Sequence, residues 1–378
     1  MVKEGVMGPL IAILRFDSVE GKKKAARPLS NLTMHEEGAR EFVEMDGVVP
    51  LVAMLHESGE DCKWLATLIL LNLTCNNRNL VVIAQKGGIT PLVAMLSDKA
   101  EGLRQVAAES LRNLGSNEDN AVEIAKKGGI SLLITLLREG GSSLSKESAA
   151  AALSNLAQVE ANRVEIAKKG GIGDLIELLR KGNNKGKLRA AAALYTLAFN
   201  EANRTLIARG DAVAPLIALL RDGCDLGKIH AAAALQMLAG VCSAEIRKKG
   251  GIAPLIALLQ DGDDAAKMNA AGALHLMTCD TENTAIMVNS GAIAPLVALL
   301  RVGSSAGKSN AAAALHAFSS EVKYIDEIVE KGSIPELVAL LRNGCKEGKM
   351  HSAGVLGNIA SSNMERRNAV LSEGAMDF

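Results

Sequence analysis

One period constrains this chain more than any other feature. Counterpart leucines fall at Leu10, Leu51, Leu92, Leu133, Leu175, Leu216, Leu255, Leu296 and Leu337, with successive spacings of 41, 41, 41, 42, 41, 39, 41 and 41 residues. A fixed period of this size means one structural unit stacked on itself, each copy touching only its neighbours. It overrides the two ordinary domains that 378 residues would otherwise predict. The repeats run 6–46, 47–87, 88–128, 129–170, 171–211, 212–250, 251–291, 292–332 and 333–374, within a single domain spanning 1–378 that carries partial repeats at both ends.

The repeat at 251–291 shows the local logic. Pro254 precedes an apolar run of Leu255, Ile256, Leu258 and Leu259, and is placed at the first position of a helix, where a missing N–H costs nothing. Pro9, Pro50, Pro91, Pro215 and Pro295 stand at the same point. A polar loop follows over 260–265. A second helix is predicted over 267–278, where small Ala270 and Ala271 and larger Leu274 and Met277 form one apolar stripe. A third, shorter helix is predicted over 282–288. Gly128, Gly170 and Gly250 end that helix in other repeats, each after a Lys pair. Glycine past the last turn, with cations in it, is ordinary helix-stop chemistry. Alternating runs bounded by hairpin turns are missing, so no strands are expected.

Three helices per period, carrying G-x-x-P-L-[IV]-x-L-L and then A-A-x-A-L-x-N-L-A, resemble the armadillo repeat over nearly the whole chain. The resemblance implies an all-α fold, a right-handed α-solenoid (the armadillo superhelix) of about nine three-helix repeats. It also implies a non-enzymatic scaffold that binds an extended peptide or a partner helix along a concave groove lined by the long second helices. The repeat sequences are most similar to those of vacuolar-membrane armadillo adaptors and plant-type U-box/armadillo proteins. An adaptor role, or the substrate arm of a ubiquitin ligase, is therefore the alternative expectation. The adaptors carry N-terminal lipidation and the ligases a U-box. Here Met1–Val2–Lys3 lacks the glycine that N-myristoylation needs, and the sequence contains no U-box.

Departures from the period are local. Pro28 falls inside the second helix of the first repeat, where it removes a backbone bond and predicts a kink. Repeat 212–250 is two residues short around 240–243, where its neighbour has Asn200, an expected helix N-cap. A weakened short helix and a local change of twist are expected there. Residues 1–5 read as the tail of a preceding short helix and 375–378 as the start of a tenth repeat, without a polar cap at either end. A fragment of a longer array, or ends that meet another chain, would both produce this pattern.

Composition narrows the role. Aromatic residues are 2% of the chain, so the core is built from Ala, Leu, Ile and Val. Lys plus Arg and Asp plus Glu are both 42, a balance that argues against nonspecific nucleic-acid or anionic-membrane binding. Six scattered cysteines without a C-x-x-C pair point to a reducing interior, hence a cytoplasmic home, with nuclear or peripheral organelle-membrane residence also compatible. No apolar run reaches the roughly 18–20 residues that span a bilayer, and no leader is read at the start. Oligomeric state is left open.

The candidate binding residues sit on the second helices. In the fourth repeat Ala149, Ala150, Leu153 and Leu156 are buried, and Asn155 lies about 100° round the wheel from Leu156, pointing away from them. The same position holds Asn31, Asn72, Asn113, Asn155 and Asn358, but Thr196, Met237, Leu276 and Ala317 in repeats five to eight. In importin-α and β-catenin relatives such an asparagine ladder bonds the backbone of an extended peptide, and an amide offers both a donor and an acceptor for it. The competing reading is that these amides bond only within the stack.

Seven residues earlier stand Arg189, His230, Asn269, Asn310 and His351, about 20° from the ladder direction, and one residue earlier stand Tyr195, Gln236, His275 and His316. They predict a polar, His-rich wall, or simply a solvated face. One His per repeat does not give zinc its three or four ligands. Import receptors place a Trp four residues before the ladder to clamp lysine, and no repeat has one there. Trp64, eight residues before Asn72, is expected in the core. Residues 303–309 resemble a phosphate loop but are one residue short and follow a helix, so neither nucleotide nor any other cofactor is expected. No catalytic set is apparent by position, and Cys224 and Cys345, three repeats apart, are too distant to pair.

Overall fold

The structure is a computed structural model that describes residues 5–56, 59–139 and 141–374. Among these residues every regular element is a helix. The expected tail over residues 1–4 and the expected tenth repeat over 375–378 lie outside the described residues. The chain divides into two compact units, one ending at Asn203 and one beginning at Arg204.

In the N-terminal unit the first helices are Met7–Phe16, Val48–His56, Ile89–Met95, Gly129–Glu139 and Gly171–Lys181. The long helices are Val19–Thr33, Glu60–Thr74, Glu101–Leu114, Ser143–Leu156 and Asn184–Leu197, and short helices such as Glu118–Lys126 and Glu160–Lys168 close the repeats. The C-terminal unit repeats the plan with first helices Val213–Asp222, Ile252–Asp261, Ile293–Val302 and Ser333–Asn343 and long helices Asp264–Met277, Ser305–Ser319 and Lys346–Ser362. Within each unit every long helix packs on the next and on the first helix of its own repeat. Close approach is possible because the facing residues are small: Ala149 to Ala152, Ala231 to Ala234 and Ala311 to Ala314 are all buried.

Helix boundaries refine the sequence reading. Each repeated proline is the third residue of its helix rather than the first, as Pro254 is in Ile252–Asp261. The first four N–H groups of a helix lack intrahelical partners, so proline is tolerated there too. The loop after that helix shrinks to Gly262 and Asp263, since Asp263 caps Asp264–Met277 by accepting from Ala266 N–H. The first long helix continues through Pro28, which is exposed.

The short helices all stop in the same way. Asp46, Gly87, Gly128, Gly170, Asp211, Gly250, Gly291, Gly332 and Gly374 have positive φ, from 56° to 83°. Each sits just past a short helix, and Gly88 N–H then donates back to Ile83 O at 2.9 Å while Gly87 N–H donates to Ala84 O at 2.9 Å. This is the Schellman closure, which glycine favours because the left-handed backbone crowds a Cβ.

Eight residues before that turn the chain carries a residue that the sequence reading missed. Asn79, Asn120, Asn162, Asn203 and Asn283 occupy this slot and are all buried. Asn162 Nδ2 donates to Leu156 O at 3.0 Å, the open carbonyl end of its own long helix, and to Ala121 O at 3.2 Å in the preceding repeat. Asn203 Nδ2 makes the same pair with Leu197 O and Arg163 O. Helix-end carbonyls have no partner within the helix, so one buried amide both closes the long helix and ties neighbouring repeats.

The shortened sixth repeat puts Cys242 in this slot. The long and short helices merge into Asp225–Lys248, broken only at Cys242, whose φ of −141° and ψ of 37° are not helical. Its Sγ lies 3.4 Å from Leu238 O, the counterpart of Leu197 O, as a weaker donor in place of the amide. Burial pushes this thiol up to about 11, with the Glu245 carboxylate adding to the rise. No disulfide joins the described cysteines.

Replacing Asn162 by Ala strips a donor from two buried carbonyls and is expected to cost about 1–3 kcal/mol in urea denaturation. Asn162→Asp, isosteric but aiming an acceptor at those carbonyls, is expected to cost more.

Candidate functional site

The long helices turn one face inward and leave the other partly open, and the ladder positions lie on the open face. Asn72, Asn113, Asn155 and Asn358 are half-buried and Asn31 is exposed. The donor half of each half-buried amide is already engaged. Asn72 Nδ2 donates to Ser30 O at 3.0 Å and to Thr33 Oγ1 at 3.3 Å. Asn155 Nδ2 donates to Arg112 O at 2.7 Å. Asn113 Nδ2 donates to Thr74 Oγ1 at 3.1 Å, and Asn358 Nδ2 to Ser319 Oγ at 2.9 Å.

The acceptors follow a rule: the carbonyl one residue before, or the hydroxyl two residues after, the ladder position of the preceding repeat. The alanine-lined approach of the long helices brings these groups within reach of the amide. Asn113 Oδ1 accepts from Arg112 Nη2 at 2.9 Å. The Oδ1 atoms of Asn72 and Asn155 have no hydrogen-bond donor among the described residues. At the ladder position of the fifth repeat, buried Thr196 bonds its own helix at Ala192 O, 3.0 Å away.

Beside Asn72 the face forms a recess of about 420 Å³ whose walls include Thr33, Met34, Asn72, Cys75, Asn76 and Arg78. Trp64 is not a core residue: it is 39% exposed, and its ring lies over Gly102, where a Cβ would come within 2.8 Å of Cζ3. Glycine at the start of the next long helix makes the notch in which the indole rests. Arg189 is exposed on the same face of the fifth repeat.

The C-terminal unit differs. Asn269 is buried and donates to Ile229 O at 3.4 Å, and half-buried Asn310 donates to Met268 O at 3.1 Å. Each reaches the carbonyl just before its counterpart in the preceding repeat, so both serve the stack. Gly272 is a notch between Gln236 and Asn310: a Cβ there would sit 2.3 Å from Gln236 Nε2 and 2.9 Å from Asn310 Nδ2. Gly354 makes a second notch, 2.4 Å from His316 Nε2 by the same measure.

Side chains from alternate repeats therefore meet across the helix between them. His275 and His351 have ring centroids 5.8 Å apart, edge to face, and His316 and His351 are also 5.8 Å apart. The sequence spaces these histidines by a repeat, but the fold gathers three into one cluster. The three rings are half-buried, and among the described residues no group of three or more His, Cys, Asp or Glu is arranged to hold a metal ion. The Nδ1 atoms of His275 and His351 are buried without a hydrogen-bond partner among the described residues. Burial, then the neighbouring His351 and His316 rings, hold His275 below its ordinary range. Burial and then His316 do the same to His351, opposed by the Glu347 carboxylate. His230, one long helix further back, is half-buried. The stretch resembling a phosphate loop is a helix start, with Ser304 capping Ser305–Ser319 by accepting from Gly307 N–H at 3.2 Å.

Helix triplets stacked at a fixed period and tied by amides define an α-solenoid. Four stretches, 76–116, 117–158, 280–316 and 322–361, match the armadillo/beta-catenin-like repeat. Those four stretches are armadillo repeats, and the chain as a whole is an all-helical repeat solenoid of that kind. A crystal structure of an engineered protein is 27% identical and superposes with a TM-score of 0.87, covering 98% of this chain and 92% of its own. A designed armadillo repeat protein, 23% identical with a TM-score of 0.59, covers 61% of this chain and 99% of its own and shares the fold. No curated protein matches. The fold is typical of protein-binding scaffolds rather than catalysts.

A histidine held below its ordinary range stabilises the fold only while neutral. The unfolded chain gains protons first as pH falls through about 6.5, so the C-terminal unit is expected to lose stability below that point. Thermal melts from pH 7.5 to 5 check this, and His275→Gln with His351→Gln is expected to flatten the slope.

Proposed function

We propose that the chain is a non-enzymatic protein-interaction scaffold that holds an extended peptide along the open face of its long helices. The observation that carries this reading is the pair of unoccupied acceptors, Asn72 Oδ1 and Asn155 Oδ1, on side chains whose amide nitrogens are anchored to the preceding helix. Anchoring fixes the direction in which each oxygen points. An extended peptide offers a main-chain N–H at every residue and meets such acceptors without regard to its sequence. Selectivity then comes from side-chain pockets such as the recess beside Asn72.

Asn113 contributes differently, because its oxygen already accepts from Arg112. It positions that guanidinium at the edge of the face, where an acidic side chain of the peptide would meet it. Many weak contacts shared over several repeats suit a ligand without structure of its own. A cytoplasmic location fits the scattered thiols. The same face would serve as the substrate arm of a ubiquitin ligase or as an adaptor at the vacuolar membrane, and a U-box or a lipid anchor in the full-length gene would decide between them.

The test is a peptide-display selection on the chain, repeated after Asn72→Ala, Asn113→Ala and Asn155→Ala together. Enriched peptides are expected to lose tenfold or more in affinity, by roughly 1.4 kcal/mol per tenfold. A selection that enriches nothing, or a triple variant that stays folded and binds equally well, contradicts the proposal.

A further inference from the structure

The three-histidine cluster is not used by the ladder reading and does not depend on it. Its three rings come from three successive long helices, Asp264–Met277, Ser305–Ser319 and Lys346–Ser362, and lie half-buried on the face those helices present. His351 is central, 5.8 Å from each of the other two ring centroids. Elsewhere on the same long helices Asn269 and Asn310 donate to helix carbonyls, and Gln236 and Asn310 lie beside the notch at Gly272. The Nδ1 atoms of His275 and His351 are left buried with nothing to bond. A buried polar atom without a partner costs free energy, and the cost is removed by whatever supplies the partner.

The charged and titratable groups acting on the cluster are few. His275 feels His351 and His316, and His351 feels His316 and Glu347, one turn before it on the same helix. Gln236 and Asn310 are neutral, and His230 is the next imidazole along the face. Protonation of His275 and His351 is therefore opposed by burial and by the neighbouring imidazoles, with the Glu347 carboxylate favouring it at His351. The cluster has room in its chemistry for negative charge that the chain itself does not supply.

We propose that His275, His316 and His351 form an oxyanion-binding subsite, which takes a carboxylate or phosphate group of a partner peptide and binds it together with protons. On binding, the imidazolium N–H groups donate to the oxyanion and the rings turn about their Cβ–Cγ bonds to present them. No covalent bond changes; the protons come from solvent. Ligand and proton then favour each other reciprocally. Affinity rises as pH falls, by roughly tenfold per pH unit for each proton taken up. The unused Nδ1 atoms gain partners, and the mutual repulsion of the rings is offset by the anion.

The experiment uses the full chain and two probes, a fluorescein-labelled hexaglutamate peptide and inorganic phosphate, with a hexalysine peptide as the control. Fluorescence anisotropy at pH 7.5, 6.5 and 5.5 is expected to show hexaglutamate binding strengthening at least tenfold across the range, with hexalysine unaffected. Inorganic phosphate competing the peptide off assigns phosphate as well as carboxylate; failure to compete restricts the subsite to carboxylate-bearing peptides. His275→Gln, His316→Gln and His351→Gln together are expected to abolish the pH dependence, whereas the triple Asn→Ala variant keeps it. That contrast separates failure of this subsite from failure of the ladder reading. NMR of the six histidines in the unaltered chain gives a readout that needs no variant: the resonances of His275 and His351 are expected to titrate at higher pH when hexaglutamate is present. No binding at any pH, an unchanged slope in a folded triple Gln variant, or histidine titrations unmoved by the peptide overturns the proposal. So does binding that appears only on addition of Zn²⁺.

Discussion

The stack depends on what happens to the last carbonyls of each long helix. A helix end leaves those groups without intrahelical partners, and here they face the next repeat instead of water. The buried amides of Asn79, Asn162, Asn203 and Asn283 answer this from the short helices, and those of Asn120, Asn162 and Asn203 reach a carbonyl of the preceding repeat. Asn72 and Asn155 answer it again on the open face, where their nitrogens reach back to Ser30 O and Arg112 O. Repeats are thus joined by two lines of amide-to-carbonyl bonds as well as by apolar contact. The alanine-rich facing surfaces let the helices come close enough for both lines to form.

That arrangement gives the two units different faces. In the N-terminal unit Asn72, Asn113 and Asn155 spend their nitrogens on the stack, and of their oxygens only that of Asn113 is engaged by a neighbouring donor among the described residues. In the C-terminal unit the amides at the earlier register, Asn269 and Asn310, are drawn into the stack, and glycine or alanine beneath the face lets longer polar side chains meet across a helix. Under the two proposals, one unit accepts hydrogen bonds from a ligand and the other donates them once protonated. Both follow from which residue stands at two or three positions of one repeated helix.

Much of this was legible in the sequence. The period, the three helices and their order follow from the leucine spacing, repeated nine times, and from the Gly–Lys stops and the alanine stripe that recur in several repeats. The Asn200 cap and the defect near Cys242 were legible as departures from the repeat, and both are present. The buried asparagine of the short helix escaped because a polar residue on a polar-looking helix gives no periodic signal; only its common place eight residues before the turn marks it. The histidine cluster escaped because contact between alternate repeats depends on how the long helices approach, and a wheel drawn for one helix carries no such information. Trp64 was placed in the core by its size, and the glycine that makes room for it lies in the next repeat.

The central claim, that buried amides on helix-end carbonyls hold successive repeats together, is tested most directly by native-state hydrogen exchange read by mass spectrometry. The account predicts strong protection at Asn162 and Asn203, whose amides reach both the end of their own long helix and the preceding repeat, and a local weak point around Cys242, where a thiol replaces the amide. Protection at Cys242 equal to that at the asparagine joints would contradict it, because the amide bond would then add nothing that apolar packing does not already provide.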